Sequence, residues 1–206
     1  MQAVSRQMFG SDNFSAEIVI ANYLHKVTLR HQWRHETEIR AGTEIHELLE
    51  CVITAPVTEI SAQGIHRREL QVLDHQLMPF LSTLKIDTAV IFNTSNPHHQ
   101  SLDLQQVLQT HADTLQHVEL DQVFAWDHVE FLAGMSILVN LPKLNKLMMP
   151  RCSVMTNGHC GHNFQVTYDR DVADRFEYSG SGSDLVLGAQ IASLFSAANA
   201  AKQREP

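Results

Sequence analysis

Three short segments of the chain share one pattern of apolar and polar positions. Residues 81–86, 115–120 and 144–149 each carry apolar side chains at the first, fourth and sixth positions, with mostly polar side chains between them. In a β-strand, successive side chains point to opposite faces. The fourth and sixth residues of each segment therefore enter a core, and the third and fifth line an open surface. The pattern predicts three half-buried strands.

Segments with the spacing of amphipathic helices lie between these strands. Leu104, Val107, Leu108 and His111 stand at positions i, i+3, i+4 and i+7, which places them on one stripe of a helix. This stripe predicts a helix over residues 103–112. Similar patterns predict helices at residues 43–53, near 70–77, at 128–138 and at 184–198.

The third strand segment continues to Cys152 and Val154, completing the pattern L-x-x-L-x-L-x-x-C-x-L of a leucine-rich repeat. Further copies of its first half start at residues 24, 57 and 173, and the last two are weaker. We therefore predict the fold class α/β: an irregular leucine-rich-repeat-like solenoid in which parallel strands alternate with helices. The alternative is a doubly wound α/β domain, although strands of that fold usually appear as continuous apolar runs.

The domain organisation follows from the same patterns. Residues 1–14 are polar and include Gly10, Ser11, Asp12 and Asn13, so we expect a flexible lead-in. The repeat-like domain is expected to cover residues 15–198. Residues 199–206 are expected to form a flexible tail.

Composition restricts the class of partner and the cellular location. A formal net charge of −8 and a pI near 5.9 argue against non-specific binding to nucleic acid. No stretch approaches eighteen consecutive apolar residues, so no membrane span is expected. Three cysteines, an odd number, fit a reducing compartment better than a disulfide framework. We therefore expect a cytoplasmic or nuclear protein.

Two segments resemble repeats of a known protein family. Residues 114–126, and residues 141–147 followed by Arg151-Cys152, are similar to repeats of fungal F-box and leucine-rich-repeat proteins. Such proteins commonly recruit substrates to ubiquitin ligases: the F-box grips a Skp1-like adaptor and the repeats hold the target. The F-box itself is not found, because residues 15–24 resemble its opening but a strand-like repeat follows. The resemblance thus implies the repeat portion of such a protein.

A second hypothesis concerns the chemistry of the loop after the third strand. Cys152, His159, Cys160 and His162 carry ligand types that suit Zn²⁺. Their spacing is not that of a recognised zinc finger, and the repeat pattern already assigns Cys152 to the core. The glycines in residues 180–184 precede a helix, but the third glycine of a dinucleotide motif is missing. We therefore predict no cofactor and no enzymatic activity, with a metalloprotein or an enzyme using the Cys152–His162 loop as the alternative.

The residues at the third and fifth positions of each strand segment define the predicted binding surface. This surface mixes both charge signs, which suits a folded protein partner better than nucleic acid. Lys26 and Arg175 are its expected outer members. Its central members are Thr83, Lys85, His117, Glu119, Lys146 and Met148.

Overall fold

The computed structural model describes residues 4–10, 14–21, 23–31, 56–63, 73, 77–91, 104–156, 159–160, 163–172, 175–179 and 185–202. The predicted helix at residues 43–53 and the glycines at 180 and 182 lie outside the described residues. For most of the first three strands, only the backbone is described.

Ten strands and three helices are present in the described part of the chain. The strands are β1 Val4–Gly10, β2 Phe14–Ala21, β3 Tyr23–His31, β4 Glu59–Gln63, β5 Thr83–Ile91, β6 His117–Ala125, β7 Lys146–Thr156, β8 His159–Cys160, β9 Phe164–Asp169 and β10 Arg175–Ser179. The helices are α1 Leu104–Thr110, α2 His128–Val139 and α3 Leu185–Lys202.

The strands form one mixed sheet. Its order is β1-β2-β3-β4-β5-β6-β7-β9-β10, and the two-residue strand β8 pairs with β7. The strands from β3 to β7 are parallel to one another. On one side, β1 and β2 are antiparallel additions; on the other, β9 and β10 are antiparallel additions.

The predicted solenoid of parallel strands alternating with helices is therefore wrong. The length of the connections explains the difference, because a parallel pair needs a crossover of a dozen or more residues. Asn22 alone separates β2 from β3, and a short segment separates β7 from β9, so both pairs must turn back antiparallel. As a result, β9 lies between β7 and β10 and breaks the repeat order.

A strand and a helix extend into the two terminal segments of the chain. The predicted flexible lead-in contains β1, which pairs with β2 from Val4 opposite Ile20 to Gly10 opposite Phe14. At the other end, α3 continues to Lys202, past the predicted boundary at residue 198. The Lys202 ammonium donates to the carbonyl oxygens of Val139 and Leu141, at 3.2 and 2.7 Å.

The predicted inward register of the central strands is confirmed. Leu84 pairs with Val118, and Val118 pairs with Leu147, in parallel neighbouring strands. Ile60 extends this row on β4 and Tyr168 extends it on β9. All five side chains are buried. A row of apolar side chains thus crosses the sheet perpendicular to its strands.

The three helices bury their apolar residues in the same core. The predicted stripe is confirmed, since Leu104, Val107 and Leu108 of α1 are buried, as is His111 directly after the helix. Helix α2 begins where the Asp127 side chain accepts a hydrogen bond from the Glu130 amide at 2.8 Å, which satisfies one of the unpaired amides of the first turn. Within the described residues, the search for a helix long and apolar enough to cross a membrane finds none.

Aromatic side chains attach α3 to the antiparallel end of the sheet. Tyr168 of β9 stacks on Phe195, with ring centroids 4.5 Å apart, and Phe176 of β10 lies 5.2 Å from the same ring. Gly188 faces Tyr178, and a Cβ atom there would lie 2.6 Å from the Tyr178 ring. The missing side chain therefore lets the helix lie close against β10.

The row of buried side chains generates a prediction about stability. Replacing Leu84, Val118 or Leu147 with Ala should lower the free energy of unfolding by about 2–5 kcal/mol, because each change leaves a cavity. Gln105→Ala, at an exposed position of α1, is the control and should change it by less than about 0.5 kcal/mol. Urea denaturation measures both. Losses as small as the control's at all three core positions would contradict this register.

Buried His111 generates a prediction about pH. Burial lowers the pKa of the imidazole, and an interaction with the Leu73 backbone only partly offsets this. The unfolded chain therefore binds a proton more readily, so stability is lost as pH falls through the unfolded value of about 6.5. We expect the free energy of unfolding to fall between about pH 7.5 and 5.5 by less in His111→Leu than in the wild type. Gln105→Ala, which removes no titratable group from an exposed position of α1, should keep the wild-type slope.

Candidate functional site: the open face of the sheet

The outward side chains of β3–β7, β9 and β10 form a polar surface, which we call the open face. Its first row runs across the sheet through Lys26, Glu59, Thr83, His117, Lys146, Asp169 and Arg175, each paired with the next. Its second row runs through Thr28, Ser61, Lys85, Glu119, Met148, Thr167 and Glu177. Between these rows, the described side chains of Ile60, Leu84, Val118, Leu147 and Tyr168 point the other way, into the core.

The structure brings the six central members of the predicted binding surface together. Together with Glu59, they line a cavity of ≈ 290 Å³ on the open face: Thr83, Lys85, His117, Glu119, Lys146 and Met148. The expected outer members, Lys26 and Arg175, lie in the first row, at opposite ends. The cavity is thus built from four neighbouring strands, and the parallel register holds its side chains in place.

Glu59 connects the charged groups of this cavity. Its carboxylate lies 2.8 Å from the Lys26 ammonium and 3.5 Å from that of Lys85, which in turn lies 3.9 Å from Glu119. Burial by itself raises the pKa of the Glu59 carboxyl, but the bond to Lys26 and the charge of Lys85 more than compensate, so this pKa is lowered. Glu59 is therefore ionised at neutral pH. Two lysines and two glutamates alternate in sign from β3 to β6, in the order Lys26, Glu59, Lys85 and Glu119.

A second charged cluster lies further along the strands, centred on Arg151 of β7. Its guanidinium donates to the Asp121 carboxylate from Nε, at 3.0 Å, and from Nη2. Asp87 of β5 lies 3.6 Å from the same Nη2 atom. The bond from Arg151 lowers the pKa of Asp121, whereas a hydrogen bond with Asp121 raises the pKa of Asp87. Arg151 thus binds Asp121 firmly and Asp87 weakly.

Opposite charges balance across the open face. Among its described side chains there are five cations and six carboxylates, and every one of them belongs to an ion pair. Exposed pairs of this kind stabilise the fold by only about 0–1 kcal/mol each, so they can exchange partners at low cost. The cations are Lys26, Lys85, Lys146, Arg151 and Arg175, and the anions are Glu59, Asp87, Glu119, Asp121, Asp169 and Glu177.

Cys152 does not have the environment of a thiolate ligand. Its side chain is buried in the core, where its sulfur lies 3.5 Å from the Met149 carbonyl oxygen, and burial raises the pKa of the thiol. The predicted interior position is confirmed. The side chains of His159, Cys160 and His162 lie outside the described residues. Among side chains that are described, no group of three or more His, Cys, Asp or Glu residues is placed to hold a metal ion.

Sequence reasoning missed Glu59 and the cluster around Arg151. Glu59 occupies the third position of the weak strand copy that begins at residue 57, so the same template extended to that copy would have found it. Asp87, Asp121 and Arg151 come after the sixth position of their segments, past the six positions that the three segments share, although the strands continue. No signal in the template marks them.

Comparison with known proteins gives no assignment: no protein-family model matches the chain, and no curated protein matches it significantly.

The environment of Cys152 generates a prediction about its reactivity. In native buffer, this thiol should react with a maleimide only as fast as the protein unfolds, because thiolate is the reactive form and burial disfavours it. Peptide mapping by mass spectrometry separates Cys152 from Cys51 and Cys160. The same measurement in urea supplies the rate for the unfolded chain. A native rate equal to that unfolded rate would contradict the interior position.

Proposed function

We propose that this protein is a protein-interaction domain and that the open face binds a folded protein partner. The observation that carries the proposal is the convergence of six outward side chains from three strands, together with Glu59 from a fourth, on one cavity. A sheet holds such side chains at fixed spacings. Ordering them on binding therefore has a small entropic cost.

The charges of the open face support a protein partner rather than nucleic acid. A nucleic-acid surface needs an excess of cations to neutralise phosphates. Here carboxylates slightly outnumber cations, and each cation is already paired. A surface with alternating charges instead selects a partner whose own charges alternate in the complementary order.

A substrate-recruiting role in an F-box ubiquitin ligase is a narrower form of this proposal. It is supported by the resemblance of residues 114–126 and 141–147 to repeats of such proteins. The role stays a prediction, and it requires binding to a Skp1-like adaptor as well as to a target. Co-purification with a recombinant Skp1-like adaptor tests it separately from binding at the open face.

A cytoplasmic or nuclear location is part of the proposal. It is supported by the cysteine count and by Cys152, a free thiol in the core. Fractionation of cells that express the tagged protein tests this location.

The proposal predicts the effect of removing two cations from the open face. Lys85→Gln together with Lys146→Gln should abolish most partner capture, because the partner loses the cations in the centre of the cavity. The melting temperature should change by only a few degrees, since the exposed pairs that are lost contribute about 0–1 kcal/mol each. Affinity capture with quantitative mass spectrometry, followed by thermal unfolding, measures both effects.

The matched control places the same change of net charge on the helical side. Gln105→Glu together with Gln109→Glu lies at exposed positions of α1, and each substitution alters the charge by one unit, as each Lys→Gln does. Capture should survive in this variant. Loss of capture in the control, with capture retained in the open-face variant, would place the binding surface on the helices.

A further inference from the structure

A second cavity, of ≈ 600 Å³, lies where β7 and β9 separate. Met149 pairs with Val166, and Cys152 pairs with Phe164, so two residues of β7 stand opposite Gln165 alone. Such a bulge interrupts the ladder of hydrogen bonds and frequently marks a functional site. The volume falls within the range of about 300–1,000 Å³ that is typical of small-molecule sites.

The side chains around this cavity are suited to donating hydrogen bonds. The residues that line it include Gln122, Asn163 and Gln165, which carry carboxamides, and Ser153 and Ser179, which carry hydroxyls. Arg151 supplies the single cation, and no carboxylate lines the cavity among the described residues. The wall therefore presents the Arg151 guanidinium beside neutral donors, while its partners Asp121 and Asp87 are not among the lining residues, and an anionic group can accept from these donors.

Arg151 is already oriented for such a group. Asp121 accepts from its Nε and Nη2 atoms and so fixes the plane of the guanidinium. Nη1 has no hydrogen-bond partner among the described residues, and the more distant contact of Nη2 with Asp87 is the one that a ligand can displace. The end of the guanidinium fork is thus available for a carboxylate, whose two oxygens match it.

We propose that this cavity binds a carboxylate, with Arg151 as its anchor and Gln122 and Gln165 as supporting donors. The carboxylate has two candidate sources: an acidic side chain of the protein partner or a free carboxylic acid. The first source rests on the proposed function, because Arg151 belongs to the open face and a partner covering that face would reach the cavity.

The test uses purified protein and three probes of defined chemistry. Glutarate represents the free acid, N-acetyl-Gly-Glu-Gly-amide represents an acidic side chain, and glutaramide is the uncharged control. Side-chain amide resonances of Gln122 and Gln165 in ¹⁵N NMR report occupancy. Both carboxylates should shift these resonances with a Kd of about 1 mM, as expected for small ligands, while glutaramide should not. Tighter binding of the peptide assigns the site to a partner, and tighter binding of glutarate assigns it to a free acid.

Substitutions identify the anchor. Arg151→Lys should weaken binding of the carboxylate probes about tenfold, because an ammonium cannot form the bidentate contact. Gln122→Leu leaves the Arg151–Asp121 pair intact and should weaken binding about threefold. Lys143→Gln, at an exposed position before β7 that lies outside this cavity and the open face, should have no effect. Equal binding of glutaramide, unchanged binding in both cavity variants, or no shift with either carboxylate would overturn the proposal.

The result is independent of the proposed function. The probes need no partner, so a failure here leaves capture by the open face unaffected. Conversely, if the open face captures no partner, binding of glutarate at Arg151 can still be measured.

Discussion

The alignment of apolar side chains across neighbouring strands is the constraint on which the rest of the structure depends. Ile60, Leu84, Val118, Leu147 and Tyr168 meet in one buried row, although they come from strands of both directions. A shift of one residue in any pairing would exchange the two faces of that strand. It would place Lys85 or Glu119 in the core. The free energy of burying such a charge is far larger than the free energy gained from any surface ion pair. The same register therefore fixes the core and the open face.

Alternation in the sequence predicted this register but not the direction of every strand. The inward positions of Leu84, Val118 and Leu147 follow from a period of two, which is the same in parallel and antiparallel sheets. Direction depends on the connections instead. The single residue between β2 and β3, and the short segment before β9, exclude crossover helices. Attention to those lengths would have predicted the antiparallel strands at both ends of the sheet.

The candidate site was predictable to the extent that it follows the repeat template. The third and fifth positions of three segments gave the six side chains that line one cavity with Glu59. The contacts of Arg151 were not predictable, because Asp121 and Asp87 reach it from strands far away in sequence, past the six positions that the three segments share. Spacing along a chain predicts which side chains share a face. Which charges pair on that face depends on side-chain reach, and the template contains no record of it.

The mixed sheet has a consequence for the order of folding. The antiparallel pairs β1–β2, β2–β3 and β9–β10 join strands that are close in sequence, so they involve little loop-closure entropy and can form within microseconds. The parallel pairs from β3 to β7 require long connections to close first, which slows their formation. The antiparallel hairpins at the two ends of the sheet thus form before the parallel strands in its centre. When β3 joins β4 and β9 joins β7, each hairpin adds a preformed strand to an exposed edge of that centre, which protects it from pairing with another chain.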